Sequence, residues 1–241
     1  MSEDEWRARV DLAACYRLAA HHGMSDLTAT HISARVPGES GVLLLNGRGL
    51  FFDEITASSL IKARFDGTVI TESPYALNPA GLNIHAAVLE ARPDVTCVLH
   101  SHTRAGLAVA AMSQGLLPLS QHALRFYERI GYHEYEGMAD DPTERSRLAA
   151  DLGPHSALIL RNHGLLVAGR STPETFRLMH LLELACQAQI DVLAAGMKPH
   201  FPSEAVCERT ARQFDAFGSM GGRDWPGHLR RLDRLDPSYR L

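Results

Sequence analysis

The sequence alternates two kinds of apolar segment, and this alternation restricts the fold more than any other feature. Short runs rich in β-branched residues, such as residues 95–102, are typical of buried strands. Longer segments, such as residues 171–196, repeat apolar residues every three or four positions, which places them on one face of a helix. Helices with one apolar face cover a sheet in α/β proteins, so we expect an α/β fold.

Individual elements are marked by proline, glycine and capping residues. Residues 31–36 and 41–46 are predicted to pair as a hairpin, because proline and glycine lie between them. Ser171 or Thr172 is predicted to cap the longest helix, with Glu174 in its first turn. We also predict helices at residues 6–21, 78–92 and 104–112, and two strands on either side of a turn at His163 and Gly164.

Length and composition suit one domain over residues 1–241, since 45% of the residues are hydrophobic. Residues 218–241 have few side chains to fill a core, so we expect them to form a surface or interface tail. A net charge of −4 without a Lys/Arg cluster argues against nucleic acid as a partner. The chain contains no run of about 18 apolar residues, and its first residues are charged. Both features predict that it has no membrane partner and that it is cytoplasmic.

Three of the 13 histidines follow apolar runs. If residues 95–102 form a strand, His100 and His102 leave the same face with their Cα atoms roughly 6.5 to 7 Å apart. His163 precedes Gly164, which allows a sharp turn after another apolar run. Three neutral imidazoles leave a divalent ion its charge and open positions, as in catalytic metal sites.

These segments resemble the class II aldolase/adducin family over nearly the whole chain. The resemblance depends on residues 31–67, on "NPAGLNIHAAVLEARPDVTCVLHSHT" and on "LILRNHGLLVAG", in that order. It implies a three-layer α/β/α fold around a mainly antiparallel sheet, and a homotetramer with active sites at subunit boundaries. It also implies that His100, His102 and His163 bind one divalent ion, with zinc expected first and manganese, iron or cobalt as alternatives.

The sequence departs from the family's sugar-phosphate enzymes at the other site positions. Gly81 aligns with the acidic residue that transfers protons in those enzymes. His31 replaces an asparagine of their phosphate loop, and Arg48 replaces a threonine. These departures, and the motifs "NPAG" and "FDEITASSL", resemble the adducin-like bacterial branch more than the sugar-phosphate enzymes. The metal ligands are kept, whereas the base and the phosphate pocket are not.

Several residues are candidates to complete the site. Arg48 suits a substrate carboxylate, because a guanidinium pairs with both carboxylate oxygens, and His31 could face the metal pocket. His122, Tyr127 and Tyr132 are candidate proton donors in place of the missing acid, since family enzymes use tyrosines from a neighbouring subunit. Ordinary turn and loop packing explains each of these five residues as well.

Three functions remain open. The first is a metal-dependent carbon–carbon lyase, acting by aldol cleavage or decarboxylation on a small hydroxy, keto or aromatic acid. The second is an Fe(II)-dependent oxygenase on the same three histidines. The third is a non-catalytic interaction module of the adducin kind. Metal content separates the third from the others, and oxygen uptake separates the second from the first.

Overall fold

A computed structural model describes residues 1–137, 141, 143–217 and 220–241. Its strands are β1 (His31–Arg35), β2 (Val42–Leu45), β3 (Ile61–Arg64), β4 (Cys97–Ser101), β5 (Gly131–His133), β6 (Ala157–Leu160) and β7 (Gly164–Gly169). Its α-helices are α1 (Glu3–His21), α2 (Pro79–Ala91), α3 (Arg104–Ala110), α4 (Gln121–Leu124), α5 (Glu144–Leu152), α6 (Thr172–Ala194), α7 (Glu204–Asp215) and α8 (Trp225–Leu235). Short 3-10 helices lie at Phe52–Glu54 and Pro237–Arg240.

All seven strands form one sheet, in the order β3-β2-β1-β4-β7-β6-β5. Five of its six neighbouring pairs are antiparallel, and only β5 and β6 run parallel. The predicted hairpin β1–β2 is present, as is the predicted pair of strands around the turn before Gly164. The mainly antiparallel sheet that the sequence led us to expect is therefore confirmed.

Helices cover both faces of this sheet. Alternate residues of each strand join two separate apolar clusters, as Leu44 of β2 shows against its neighbours Leu43 and Leu45. Helices α1, α3 and α6 supply the first cluster, and α2 and α5 supply the second. Because a strand's side chains alternate between its faces, the two clusters lie on opposite sides of the sheet. The predicted three-layer α/β/α architecture is thus confirmed.

Polar side chains cap the first turns of α6 and α2. The Ser171 side chain accepts a hydrogen bond from the Glu174 N–H, so Ser171 rather than Thr172 is the cap of α6. Asn78 caps α2 in the same way by accepting from the Gly81 N–H at 3.4 Å. The start of α2 is thereby fixed at the edge of the sheet where β4 ends.

The end of the chain contributes more to the core than its composition indicated. Residues 218 and 219 lie outside the described part, and the residues after them include α8 and a 3-10 helix. Trp225, Leu232 and Tyr239 are buried in the cluster that contains α1. The Trp225 indole N–H donates to Asp11 at 2.8 Å. Three spaced apolar residues of this arginine-rich segment thus pack in the core. An interface role for this tail and the single domain stay predictions.

Replacing Tyr239 by alanine should destabilise the protein by about 3–5 kcal/mol, the range for removing a buried aromatic side chain. Tyr239 is fully buried, and its hydroxyl donates to Asp233 at 2.8 Å. Urea unfolding measures this loss. Leu241→Ala, at a side chain that is 68% exposed two residues away, should change stability by less than about 0.5 kcal/mol. Equal losses in the two variants would contradict the core position of Tyr239.

No helix in the described ranges combines the length and apolar content needed to cross a membrane.

Candidate metal centre

Three histidines meet at one edge of the sheet. His100 lies on β4, His102 lies one residue beyond its end, and His163 lies in the turn between β6 and β7. Their potential ligand atoms all lie within 4.8 Å of one another. Among the described residues, no other group of three or more His, Cys, Asp or Glu side chains converges in this way. The strand ends one residue earlier than predicted, yet the predicted histidines are brought together.

Hydrogen bonds orient two of the three rings. Nδ1 of His100 lies 3.0 Å from the carbonyl oxygen of Leu165, and Nδ1 of His102 lies 3.0 Å from an oxygen of Asp26. Both partners accept only, so each Nδ1 carries a proton, and in the neutral ring each Nε2 then presents a lone pair. The two Nε2 atoms are 2.8 Å apart. Two facing lone pairs repel, so this arrangement favours a cation between them.

Burial keeps two of these rings, His163 and His100, uncharged near neutral pH. It lowers the pKa of His163 to about 4, helped by the neighbouring His102 and His133. It also holds the pKa of His100 well below the usual range, and nearby histidines add to the effect. A metal ion binds the neutral form of imidazole, so neither ring has to release a proton near pH 7.

We expect the metal-free protein to lose stability as the pH falls from about 6.5 toward 4. In this window the unfolded chain binds protons at His100 and His163 that the folded chain excludes, and stability falls when the unfolded state binds more protons. Urea unfolding in EDTA at several pH values measures how steeply the free energy of unfolding depends on pH. The His163→Ala protein should take up one proton fewer on unfolding, so its free energy of unfolding should change less with pH. Identical slopes for the two proteins would refute the low pKa of His163.

Two further histidines, His31 and His85, lie next to the group of three. His31 of β1 is the register partner of His100, and their ring centres are 5.1 Å apart. Nδ1 of His31 lies 2.8 Å from Nε2 of His85 on α2, and Nδ1 of His85 lies 2.5 Å from the Ser33 hydroxyl. Burial holds the pKa of both rings well below the usual range. His31 thus lies beside His100, and its part in a metal pocket stays a prediction.

Gly81 lies against the His31 ring. A Cβ atom at position 81 would lie 2.6 Å from Cδ2 and 3.0 Å from Nε2 of His31. Real Cβ atoms essentially never approach another atom within 3.0 Å. The imidazole of His31 therefore fills the space into which any side chain at position 81 would begin.

Two residues that bond to these histidines were not selected from the sequence: His85, which contacts His31, and Asp26, which contacts His102. His85 follows Gly81 by four residues, so the helical period places both on the face of α2 toward His31. That period is the one sequence signal that could have linked them. Asp26 lies in the irregular segment after α1, where no periodicity indicates its direction.

Arg48 lies in the loop after β2, on the same edge of the sheet as His31. Its backbone N–H donates to Ala76 at 2.8 Å, and its side chain is exposed. Within the described residues, no carboxylate pairs with its guanidinium group, so the group is free for a ligand. Substrate binding by Arg48 stays a prediction.

The three predicted proton donors lie against other parts of the chain than His100, His102 and His163. The Tyr132 hydroxyl accepts from the Leu116 N–H at 3.2 Å, and the Arg161 guanidinium lies 4.4 Å from the centre of its ring. Tyr127 follows α4 near Glu208 of α7, and His122 lies within α4. No described contact joins them to the metal centre. Their role as groups lent to a neighbouring subunit stays a prediction.

Tyr135 is the tyrosine that the structure places beside the centre. Its ring centre lies 6.3 Å from that of His163, and the residue is 52% exposed. The sequence did not distinguish it from Tyr127 and Tyr132, because all three lie in the same irregular segment.

A seven-stranded, mainly antiparallel sheet between helical layers defines a class II aldolase type of fold, and in this chain three histidines converge at one edge of that sheet. The chain belongs to the class II aldolase and adducin family. Residues 10–190 match the family's "Class II Aldolase and Adducin N-terminal domain".

Relatives named as aldolases and as adducins match the chain in sequence. A Pseudomonas aeruginosa protein, provisionally named as a class 2 aldolase, is 49% identical over 100% of this chain and 94% of its own length. Rat (Rattus norvegicus) α-adducin is 44% identical over 79% of this chain, which spans 26% of the adducin. The resemblance to both aldolases and adducins is confirmed.

Solved structures match the fold over the whole chain. An aldolase II superfamily protein from Pseudomonas syringae has a TM-score of 0.95 and 47% identity, covering 100% of this chain and 98% of that one. The L-fuculose 1-phosphate aldolase of Glaciozyma antarctica has a TM-score of 0.87 and 27% identity, covering 99% and 93%.

Proposed function

We propose that this protein is a metal-dependent carbon–carbon lyase that acts on a small hydroxy, keto or aromatic acid, by aldol cleavage or decarboxylation. The observation that supports it most is the convergence of His100, His102 and His163 with two of the rings held by hydrogen bonds. A site without a metal has no need for facing lone pairs. The cytoplasm is the proposed location.

The donor set fits a divalent ion, and zinc most simply. Zinc–nitrogen bonds of about 2.0–2.1 Å at tetrahedral angles place ligand nitrogens about 3.3 Å apart. The Nε2 atoms of His100 and His102 are 2.8 Å apart, and all ligand atoms lie within 4.8 Å, so these values bracket the required distance. Manganese, iron and cobalt also accept imidazole, so the donors alone do not select one ion.

The residues around the centre would divide the work. When bound, the ion supplies a Lewis acid that stabilises negative charge on a substrate oxygen. Leu165 and Asp26 hold His100 and His102 in the ligating orientation. Arg48 is proposed to hold the substrate carboxylate. Tyr127, Tyr132 and His122 are proposed to donate protons from a neighbouring subunit.

The test is turnover by protein loaded with zinc, manganese, cobalt or iron(II) on a panel of hydroxy, keto and aromatic acids. We expect release of carbon dioxide or an aldehyde from at least one acid, and loss of this activity in Arg48→Ala. Arg64→Ala, at an exposed arginine on β3, is the matched control and should retain activity. No turnover of any acid by metal-loaded protein would refute the proposal.

One observation favours the alternative of an adducin-like interaction module. The chain is 44% identical to rat α-adducin, compared with 27% to the L-fuculose 1-phosphate aldolase. Metal content distinguishes this interaction module from the lyase, because a scaffold does not require an ion bound by three imidazoles. The Fe(II)-dependent oxygenase also stays open, and oxygen uptake by iron-loaded protein tests it.

We also propose that the protein is a homotetramer, since proton donors that lie away from the centre of their own chain need a second subunit. Light scattering at micromolar concentration should give four times the monomer mass of 26.4 kDa. A monomeric mass would remove the proposed roles of Tyr127, Tyr132 and His122.

A further inference from the structure

The hydrogen bonds of Ser33, His85 and His31 form a buried chain with a defined direction. Ser33 and His85 are fully buried, and the Ser33 hydroxyl has His85 Nδ1 as its only described partner. If Ser33 accepted a hydrogen from His85, its own hydroxyl hydrogen would be buried without an acceptor, at a cost of about 1–3 kcal/mol. Ser33 therefore donates to Nδ1 of His85.

The direction passes along the chain to His31. Because Nδ1 of His85 accepts, a neutral His85 carries its proton on Nε2 and donates it to Nδ1 of His31 at 2.8 Å. A neutral His31 then carries its own proton on Nε2. His31 thus presents an N–H donor at the end of the chain.

This N–H opens on the metal pocket. Nε2 of His31 has no partner within the described structure, yet it is not among the fully enclosed polar atoms that lack one. It borders the space next to Gly81, and the His31 ring lies against His100. A free donor beside a metal centre is matched by an oxygen that carries negative charge.

We propose that Ser33 and His85 hold His31 in its Nε2–H tautomer, and that this N–H donates to a carboxylate or developing oxyanion oxygen of the substrate. The direction of the chain stands independently, whereas the ligand depends on the proposed function. Ser33 and His85 are positioning residues, and His31 is the group that touches the substrate. Gly81 is required because a side chain there would displace the ring.

The tautomer is tested in the metal-free protein by nitrogen-15 NMR of the imidazole rings, assigned with His31→Phe and His85→Gln. We expect both His31 and His85 to be neutral with the proton on Nε2. A proton on Nδ1 of His31, or an equal mixture of tautomers, would overturn the inference. This measurement needs neither metal nor substrate.

The ligand is tested with oxalate, a small dianion, by titration calorimetry of zinc-loaded protein. His31→Phe should keep its zinc and bind oxalate roughly 10- to 100-fold more weakly, the effect of losing one hydrogen bond to a charged group. His85→Leu should weaken binding about tenfold, whereas His85→Gln, which keeps a donor near the Nε2 position, should stay within about threefold of wild type.

Ser101→Ala is the matched control. Ser101 is the other fully buried serine of the central strands, and its hydroxyl donates to Met179 on the opposite face. It should bind oxalate as wild type does. Unchanged binding by His31→Phe with full zinc would overturn the ligand part of the inference. A wild-type protein that binds no zinc would instead overturn the proposed function and the ligand part together, and NMR alone would then decide the tautomer.

Discussion

His102→Ala and His163→Ala proteins should each lose the divalent ion while the fold survives. Both side chains are only partly buried and lie beyond strand ends, so their removal lowers metal affinity more than packing energy. We expect metal content to fall from about one ion per chain to below about a tenth, and turnover of any acid substrate to fall by at least about a thousandfold. Elemental analysis and thermal unfolding measure the two effects.

His100→Ala should behave differently from the other two variants. His100 lies within β4 rather than beyond its end, is 1% exposed and donates to the Leu165 carbonyl. Its removal deletes this buried hydrogen bond, at a net cost of about 0.5–1.5 kcal/mol, in addition to the lost metal. His200→Ala, at an exposed histidine far along the chain, is the control and should change neither quantity. A full metal complement in any ligand variant would refute the site assignment.

Phosphorylated ketoses such as fuculose phosphate should be poor substrates. Their cleavage requires a base, and general acid–base catalysis contributes about two to four powers of ten in rate. Gly81 supplies no such group, and the His31 ring fills the adjoining space. We therefore expect turnover at least about a hundredfold below that of the best acid in the panel, measured with the same metal-loaded protein. Efficient cleavage of a phosphorylated ketose would contradict this account of position 81.

Substitutions at position 81 distinguish the effect of the missing carboxylate from the effect of the space that His31 fills. Gly81→Glu alone should not create a ketose phosphate aldolase, because its Cβ would lie 2.6 Å from the His31 ring and force it to move. Such overpacking costs about 1–3 kcal/mol. The double variant Gly81→Glu with His31→Asn removes the clash and should recover that stability. Equal stability of the single and double variants, measured by urea unfolding, would show that His31 does not limit this position.

Local patterns were sufficient to predict β1, β2, β4, β6 and β7 and to select the three histidines that converge, whereas β3 and β5 were not predicted. His100 and His102 follow an apolar strand with a period of two, and that period alone determines that they share a face. His163 was predictable because Gly164 marks the turn after another apolar run. Each of these inferences depends on neighbours within a few residues in the chain.

Contacts that depend on how elements pack were not predictable. The bond between His31 and His85 requires both the register of β1 on β4 and the position of α2 over the sheet. Asp26 reaches His102 from a segment 76 residues away. Neither contact can be inferred from the spacing of nearby residues in the sequence. The same reason explains why the direction of the hydrogen-bond chain through Ser33 became visible only in the structure.

Metal analysis of wild-type protein, purified without chelators and without a nickel column, tests the central claim most directly. The three histidines present converging nitrogen donors, so we predict about one divalent ion per chain, with zinc in first place. Protein that contains less than about a tenth of an ion per chain, and that takes up none when zinc is added, would contradict a metal-dependent lyase and leave the adducin-like module as the better account.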